Sequence, residues 1–158
     1  DRGRLSDLDL AGITYHAGLT PWGVKADIAL PCATQNELDA EAAKTLVGHG
    51  LLAVCEGANM PCTPEASELF GQHKVLHAPG KASNAGGVAV SGFELSQNSM
   101  RLSWTREQVD ARLQGIMSDI HERCVEHGGN GNRVDYVNGA NIAGFKKVAE
   151  AMLAYGAV

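Results

Sequence analysis

The chain has 158 residues, 44% of them hydrophobic and 20% charged, and a formal net charge of −5. That length supports one unit with a real core, while the acidic balance speaks against nucleic acid or an anionic membrane as partner, since both are bound through basic surface. No apolar run nears the roughly 20 residues a bilayer span needs, and no charged-then-apolar leader with a cleavage site is visible, so a cytoplasmic location is expected.

The chain opens Asp1-Arg2-Gly3-Arg4 without an initiator Met. Leu5, Leu8 and Leu10 are spaced like the tail of an amphipathic helix with no cap ahead of it, which leads to the expectation of a piece of a longer protein. Ile13–Ala17 reads as a short strand and Ala26–Leu30 as a second, entered after the turn-like Thr20-Pro21-Trp22-Gly23. Asp39–Val47 is Ala- and Glu-rich and stops at Gly48-His49-Gly50, the pattern of a helix. Leu51–Cys55 is a continuous apolar run, as in a buried parallel strand. Thr63-Pro64-Glu65 opens a helix with a cap, Pro at the first position and an early acid; it ends near His73, and Lys74–His77 is the last strand. Such alternation predicts a parallel sheet with helices packed on it.

The second half reads as helical. Pro79–Asn98 (PGKASNAGGVAVSGFELSQN) is small, Gly-rich and almost uncharged. It leaves a strand at Pro-Gly and turns through Asn-Ala-Gly-Gly, a junction whose backbone N–H groups a ligand can approach closely. Phe93–Leu102 continues as a helix. Thr105 and Gln108 form a capping box ahead of a long helix whose apolar face is Val109, Leu113, Ile116, Met117, Ile120 and Cys124. It ends at Gly128-Gly129-Asn130-Gly131, and a final helix carries Ile142, Phe145, Val148, Ala149 and Met152 on one side. No internal repeat or linker interrupts the chain.

Ligands of parallel α/β sheets bind at the carboxyl ends of the strands. Three segments fall there: Pro31–Asn36, Glu56–Pro61 and Pro79–Asn98. All turn through Pro, Gly, Ala and Asn, and Asn amides supply both donor and acceptor to a polar ligand. Neither a G-x-G-x-x-G nor a P-loop is present; Gly80-Lys81 lacks the earlier glycine, Val75 standing in its place. The four cysteines Cys32, Cys55, Cys62 and Cys124 form no C-x-x-C pair and read as reduced thiols, with Cys55 in the core. His121, Cys124 and His127 lie at ligand-like spacing, but no partner motif supplies further ligands, and packing or solvent-side roles are the more ordinary reading, so no metal is expected. Glu37, Asp39 and Glu41 read as first-turn acids of a helix. Ser91 has no G-x-S-x-G around it, which favours a hydrogen-bonding role over a nucleophilic one.

Asp27–Leu38 (DIALPCATQNEL), Glu56–Ala66 (EGANMPCTPEA), Pro79–Asn98 and Tyr136–Met152 (YVNGANIAGFKKVAEAM) resemble the C-terminal part of hexameric glutamate dehydrogenases, nearest the bacterial NADP-linked type. The resemblance runs from about Trp22 onward and is weaker over residues 1–20. It implies an α/β fold: the second half of a Rossmann-type nucleotide-binding domain with a parallel sheet over residues 1–92, then C-terminal helices over residues 93–158. It implies the reversible oxidative deamination of L-glutamate to 2-oxoglutarate and ammonia with NADP, NAD not being excluded. By the same resemblance Ser91 hydrogen-bonds the substrate carboxylate and Val88 packs on its methylenes. Asn84 lies beside the nicotinamide ribose, Asn59 on the nicotinamide side, and Ala33 and Thr34 give backbone contacts to the cofactor ribose. The family's catalytic lysine and aspartate and its phosphate-binding turn match no residue of this chain, so the isolated chain is expected to be inactive and to self-associate. The rival readings are a stand-alone nucleotide- or amino-acid-binding module and a purely structural oligomerisation piece.

Overall fold

The structure, a computed structural model, describes residues 4–7 and 11–156. Its centre is a parallel three-stranded sheet in the order β1 (Ile28–Ala29), β2 (Ala53–Cys55), β3 (Leu76–Ala78). Helix α1 (Ala40–Gly48) links the first two strands and α2 (Pro64–Gln72) the last two. Both helices start where the sequence puts a cap. The Asp39 carboxylate accepts from the Ala42 N–H, and the Thr63 hydroxyl from the Ala66 N–H, with Pro64 at the first helical position.

The strands are short, and alternation decides what they bury. Ala29, Val54 and His77 face inward against Ala43 and Leu46 of α1 and Ala66 and Phe70 of α2, where Phe70 is fully buried. The opposite face carries Ile28, Leu30 and Leu76, between 44% and 60% exposed. The register puts Ile28 beside Ala53 and Ala53 beside Leu76 in one row across that face. Parallel sheets are ordinarily covered on both faces; here the two helices cover one.

The second half is helical. The turn α3 (Gly80–Ser83) is followed by α4 (Ala85–Met100), α5 (Arg106–Gly128) and α6 (Tyr136–Tyr155). The capping box at the start of α5 is formed in both directions between Thr105 and Gln108. A small antiparallel hairpin, β4 (Gly129–Asn130) with β5 (Arg133–Val134), joins α5 to α6. The two helices meet at glycine. A Cβ on Gly139 would run into the Cys124 carbonyl, and one on Gly128 into the Asp135 carbonyl. Gly86 of α4 packs in the same manner against Leu113 and Met117 of α5. Outward, Val88, Leu95, Phe145, Val148 and Leu153 are all more than half exposed.

Two expectations are corrected. Ile13–Ala17 is not a strand: it pairs with no described strand, Ile13 and Tyr15 are exposed, and left-handed Gly12 and Gly18 bracket the segment. Isolated apolar alternation has no ladder to join. Helix α4 begins at Ala85, directly after Asn84, so the glycines of Pro79–Asn98 lie mostly within a helix and not in an open loop. The hairpin within Gly128–Val134 was not foreseen. The proposed amphipathic tail over Asp1–Leu10 lies partly outside the described residues, which hold a 3-10 turn at Leu5–Asp7. No described helix is long and apolar enough to cross a membrane.

The glycine contact gives a paired test by chemical denaturation. Gly139→Ala is expected to lose roughly 1–3 kcal/mol through backbone overpacking. Gly144→Ala, on the same helix with open space around it, is expected to gain up to about 1 kcal/mol from helix propensity.

Candidate functional site

The carboxyl ends of β1, β2 and β3 run into three loops that the backbone ties together. Gly57 and Ala58 donate their N–H groups to the Pro31 carbonyl, at 2.9 and 3.1 Å. Asn36 N–H bonds to the Met60 carbonyl and Leu38 N–H to that of Pro61, both at 3.0 Å. Asn36 and Met60 reach these positions through left-handed backbone, with φ of 57° and 49°. The Trp22 indole, itself buried, donates to the Glu37 carbonyl at 3.0 Å and anchors the first loop from the other side.

Four of the sequence-predicted residues, Ala33, Thr34, Asn59 and Asn84, lie at this edge. The Asn84 amide nitrogen donates to the Ala58 carbonyl at 3.1 Å and to Asn59 Oδ1 at 2.7 Å. Both Asn84 donors are thereby used, which leaves Asn84 Oδ1 as an acceptor and Asn59 Nδ2 as a donor with no partner among the described residues. The N–H groups of Ala33 and Thr34 are taken by Glu37 Oε1, at 2.7 and 3.3 Å. Glu37 is therefore a loop clasp and not a first-turn acid, whereas Asp39 caps α1 and Glu41 sits in its first turn, paired with Lys44. Val88 and Ser91 lie on exposed turns of α4, where the Ser91 hydroxyl donates back to the Gly87 carbonyl. The edge is exposed at Ala33, Thr34 and Asn59, and a cavity of about 660 Å³ lies elsewhere, between α2, β5 and the start of α6.

Beneath the edge is a buried polar knot that sequence reasoning missed. Glu56 is 6% exposed and His77 8%. The Glu56 carboxylate accepts from His77 Nε2 at 3.0 Å and from the Gly80 N–H at 2.6 Å. Burial pushes the Glu56 carboxyl up, but donors from His77, Gly80 and Cys62 outweigh it and hold it below the ordinary range. Burial and the adjacent Glu56 charge push the Cys62 thiol far up, so it stays protonated and donates. The His77 ring stands edge-on to Phe70, with centroids 5.7 Å apart. One signal was available: the carboxylate directly follows the apolar strand run Leu51–Cys55, where a charge needs partners.

Glu56, Cys62 and His77 have ligand atoms within 4.8 Å of one another, though here they satisfy each other by hydrogen bonds. His121, Cys124 and His127 form no such group among the described residues. Cys124 is buried against α6 and His121 lies by Tyr136. All four cysteines are free thiols.

Comparison with known proteins agrees with this architecture. Residues 1–156 match the family profile of glutamate/leucine/phenylalanine/valine dehydrogenases. The NADP-specific glutamate dehydrogenase of Escherichia coli K12 is 63% identical over 147 residues, 93% of this chain and 33% of that protein. The NAD-specific enzyme of Bacteroides fragilis is 56% identical over 151 residues, 95% of this chain and 34% of that protein. The solved structure of Plasmodium falciparum glutamate dehydrogenase 2 superimposes with a TM-score of 0.80 at 47% identity, over 89% of this chain and 31% of that one. The chain thus spans about a third of the length of the curated relatives it matches. With a Rossmann-type parallel sheet, C-terminal helices and a family match along nearly its whole length, this chain belongs to the glutamate/leucine/phenylalanine/valine dehydrogenase family.

Proposed function

We propose that this chain supplies one wall of the active site of a cytoplasmic glutamate dehydrogenase, which converts L-glutamate and NADP to 2-oxoglutarate, ammonia and NADPH. The observation that carries the reading is the Asn59–Asn84 pair at the carboxyl edge of the sheet. Its free donor, Asn59 Nδ2, and free acceptor, Asn84 Oδ1, complement a primary carboxamide, the group a nicotinamide ring bears. When bound, the nicotinamide accepts a hydride from the substrate carbon. This chain's residues orient the two reactants.

Ala33 and Thr34 would meet the cofactor ribose through their carbonyls, since Glu37 holds their N–H groups. Ribose hydroxyls donate to carbonyls, so the clasp leaves the acceptors free for that contact. Val88 would pack on the substrate methylenes, and Ser91 would turn its hydroxyl from Gly87 to the substrate carboxylate. The small residues of α4 let substrate and nicotinamide come close, as hydride transfer demands. No residue here is assigned a catalytic role. On this reading residues 1–92 belong to the nucleotide-binding part and 93–158 to the helical part, with α4 running across the join. NADP is the proposed cofactor and NAD the alternative, both being named among the relatives. The bare sheet face and the apolar outer faces of α4 and α6 support a homo-oligomer.

Three measurements test the proposal. The isolated 158-residue chain is expected to show no glutamate-dependent NADP reduction above background, and robust turnover would contradict the one-wall reading. Millimolar NADP+ titrated into 15N-labelled chain should shift the side-chain amides of Asn59 and Asn84. Asn84→Ala is expected to weaken that binding roughly fivefold, by loss of an acceptor worth about 1 kcal/mol; micromolar affinity for NADP or glutamate in calorimetry would favour the stand-alone module instead. Sedimentation should give a dimer or larger species, and a clean monomer would count against the exposed faces being contact surfaces.

A further inference from the structure

We propose that Glu56 is a positioning residue that clamps the turn carrying Asn84 onto the loop carrying Asn59 and so fixes the separation of the two amides; the inference rests on the cofactor-wall reading above. Its carboxylate holds the first residue of α3 through the Gly80 N–H at 2.6 Å. Its backbone carbonyl holds the last, through the Ser83 hydroxyl at 2.5 Å. A third bond, from the Glu56 N–H to the Ala78 carbonyl at 3.1 Å, fixes the same residue to the end of β3. Both ends of α3 are therefore bonded to one residue, with Asn84 next in the chain after Ser83 and Asn59 a few residues beyond Glu56.

The contact leaves no slack. A Cβ on Gly80 would stand 2.7 Å from the Ala58 carbonyl and 3.4 Å from Asn84 Nδ2. Charge is the reason a carboxylate serves here. Gly80 and His77 both donate toward it, each to a separate oxygen, and bonds to a charged acceptor are shorter and stronger than neutral ones. An amide of the same shape has one acceptor oxygen, and its NH2 would face a donor.

The experiment uses the 15N-labelled 158-residue chain, far below its unfolding temperature, in wild-type, Glu56→Gln and Leu46→Ala forms. Leu46→Ala loosens the core behind α1 and leaves the clamp intact, which sets the scale of a merely structural effect. Without ligand, Glu56→Gln is expected to shift the Asn59 and Asn84 side-chain amides and raise their exchange rates, while Leu46→Ala leaves them in place. With NADP+, Glu56→Gln is expected to bind about tenfold more weakly and Leu46→Ala within twofold of wild type. Unchanged amides in Glu56→Gln, or equal affinity losses in both variants, would overturn the clamp. Absence of any NADP+ effect on wild type would instead overturn the cofactor-wall reading, the ligand-free amide spectra still deciding the clamp. Should Glu56→Gln fail to fold, Ser83→Ala removes the other half of the clamp and is expected to weaken binding about threefold; no change there would overturn it.

Discussion

Strand, helix and parallel strand connect in a right-handed sense, and here that connection is made twice in the same direction along the sheet. Both crossover helices consequently land on one face, and all three strands deliver their carboxyl ends to one edge. The core, the bare face and the candidate site follow from that geometry. Phe70, Leu46 and Val54 are buried because α1 and α2 share a side. Ile28 and Leu76 are exposed because nothing in the described chain occupies the other. Loops far apart in sequence, after Leu30, after Cys55 and after Ala78, become neighbours because their strands are.

The edge combines two opposite treatments of polar groups. In the layer below it, the Glu56 carboxylate is matched: it is surrounded by His77, Cys62 and Gly80, whose three donors offset its cost of burial, while the buried His77 Nδ1 has no partner among the described residues. At the rim, the Asn84 amide donates to Asn59 and to the Ala58 carbonyl, and Asn84 Oδ1 and Asn59 Nδ2 are left open. A carboxylate whose two oxygens are both taken is held stiffly, and an incompletely satisfied rim is adhesive. Placing one directly beneath the other lets the rim hold its geometry while it has no ligand, so little ordering remains to be done on binding.

What the sequence revealed was what local chemistry controls. Asp39, Thr63-Pro64 and the Thr105–Gln108 box marked helix starts because a cap is chosen by the few residues around it. The apolar run Leu51–Cys55 marked the central strand because such runs are typical of parallel strands, although only Leu51 and Val54 of it are buried here. The motifs of the three loops marked the family. What stayed hidden depends on partners distant in the chain. Ile13–Ala17 has the alternation of a strand and no strand to pair with. His77 looks like any strand residue until Glu56 is beside it, and Glu37 looks like a helix-start acid until its carboxylate is found on Ala33 and Thr34. The start of α4 was concealed by its glycines, which weaken helix propensity locally but are needed where Gly86 meets Leu113.

The glycine seam between α5 and α6 also bears on how the chain reaches this fold. Gly128 and Gly139 meet across a short hairpin, so the helical pair assembles from residues close in sequence. Each strand pair of the sheet, Ile28 with Ala53 and Ala53 with Leu76, must instead close a loop that contains an entire helix. Local contacts form faster than distant ones. Contact order therefore favours the helical hairpin as the part that forms first, ahead of the sheet edge that carries the candidate site.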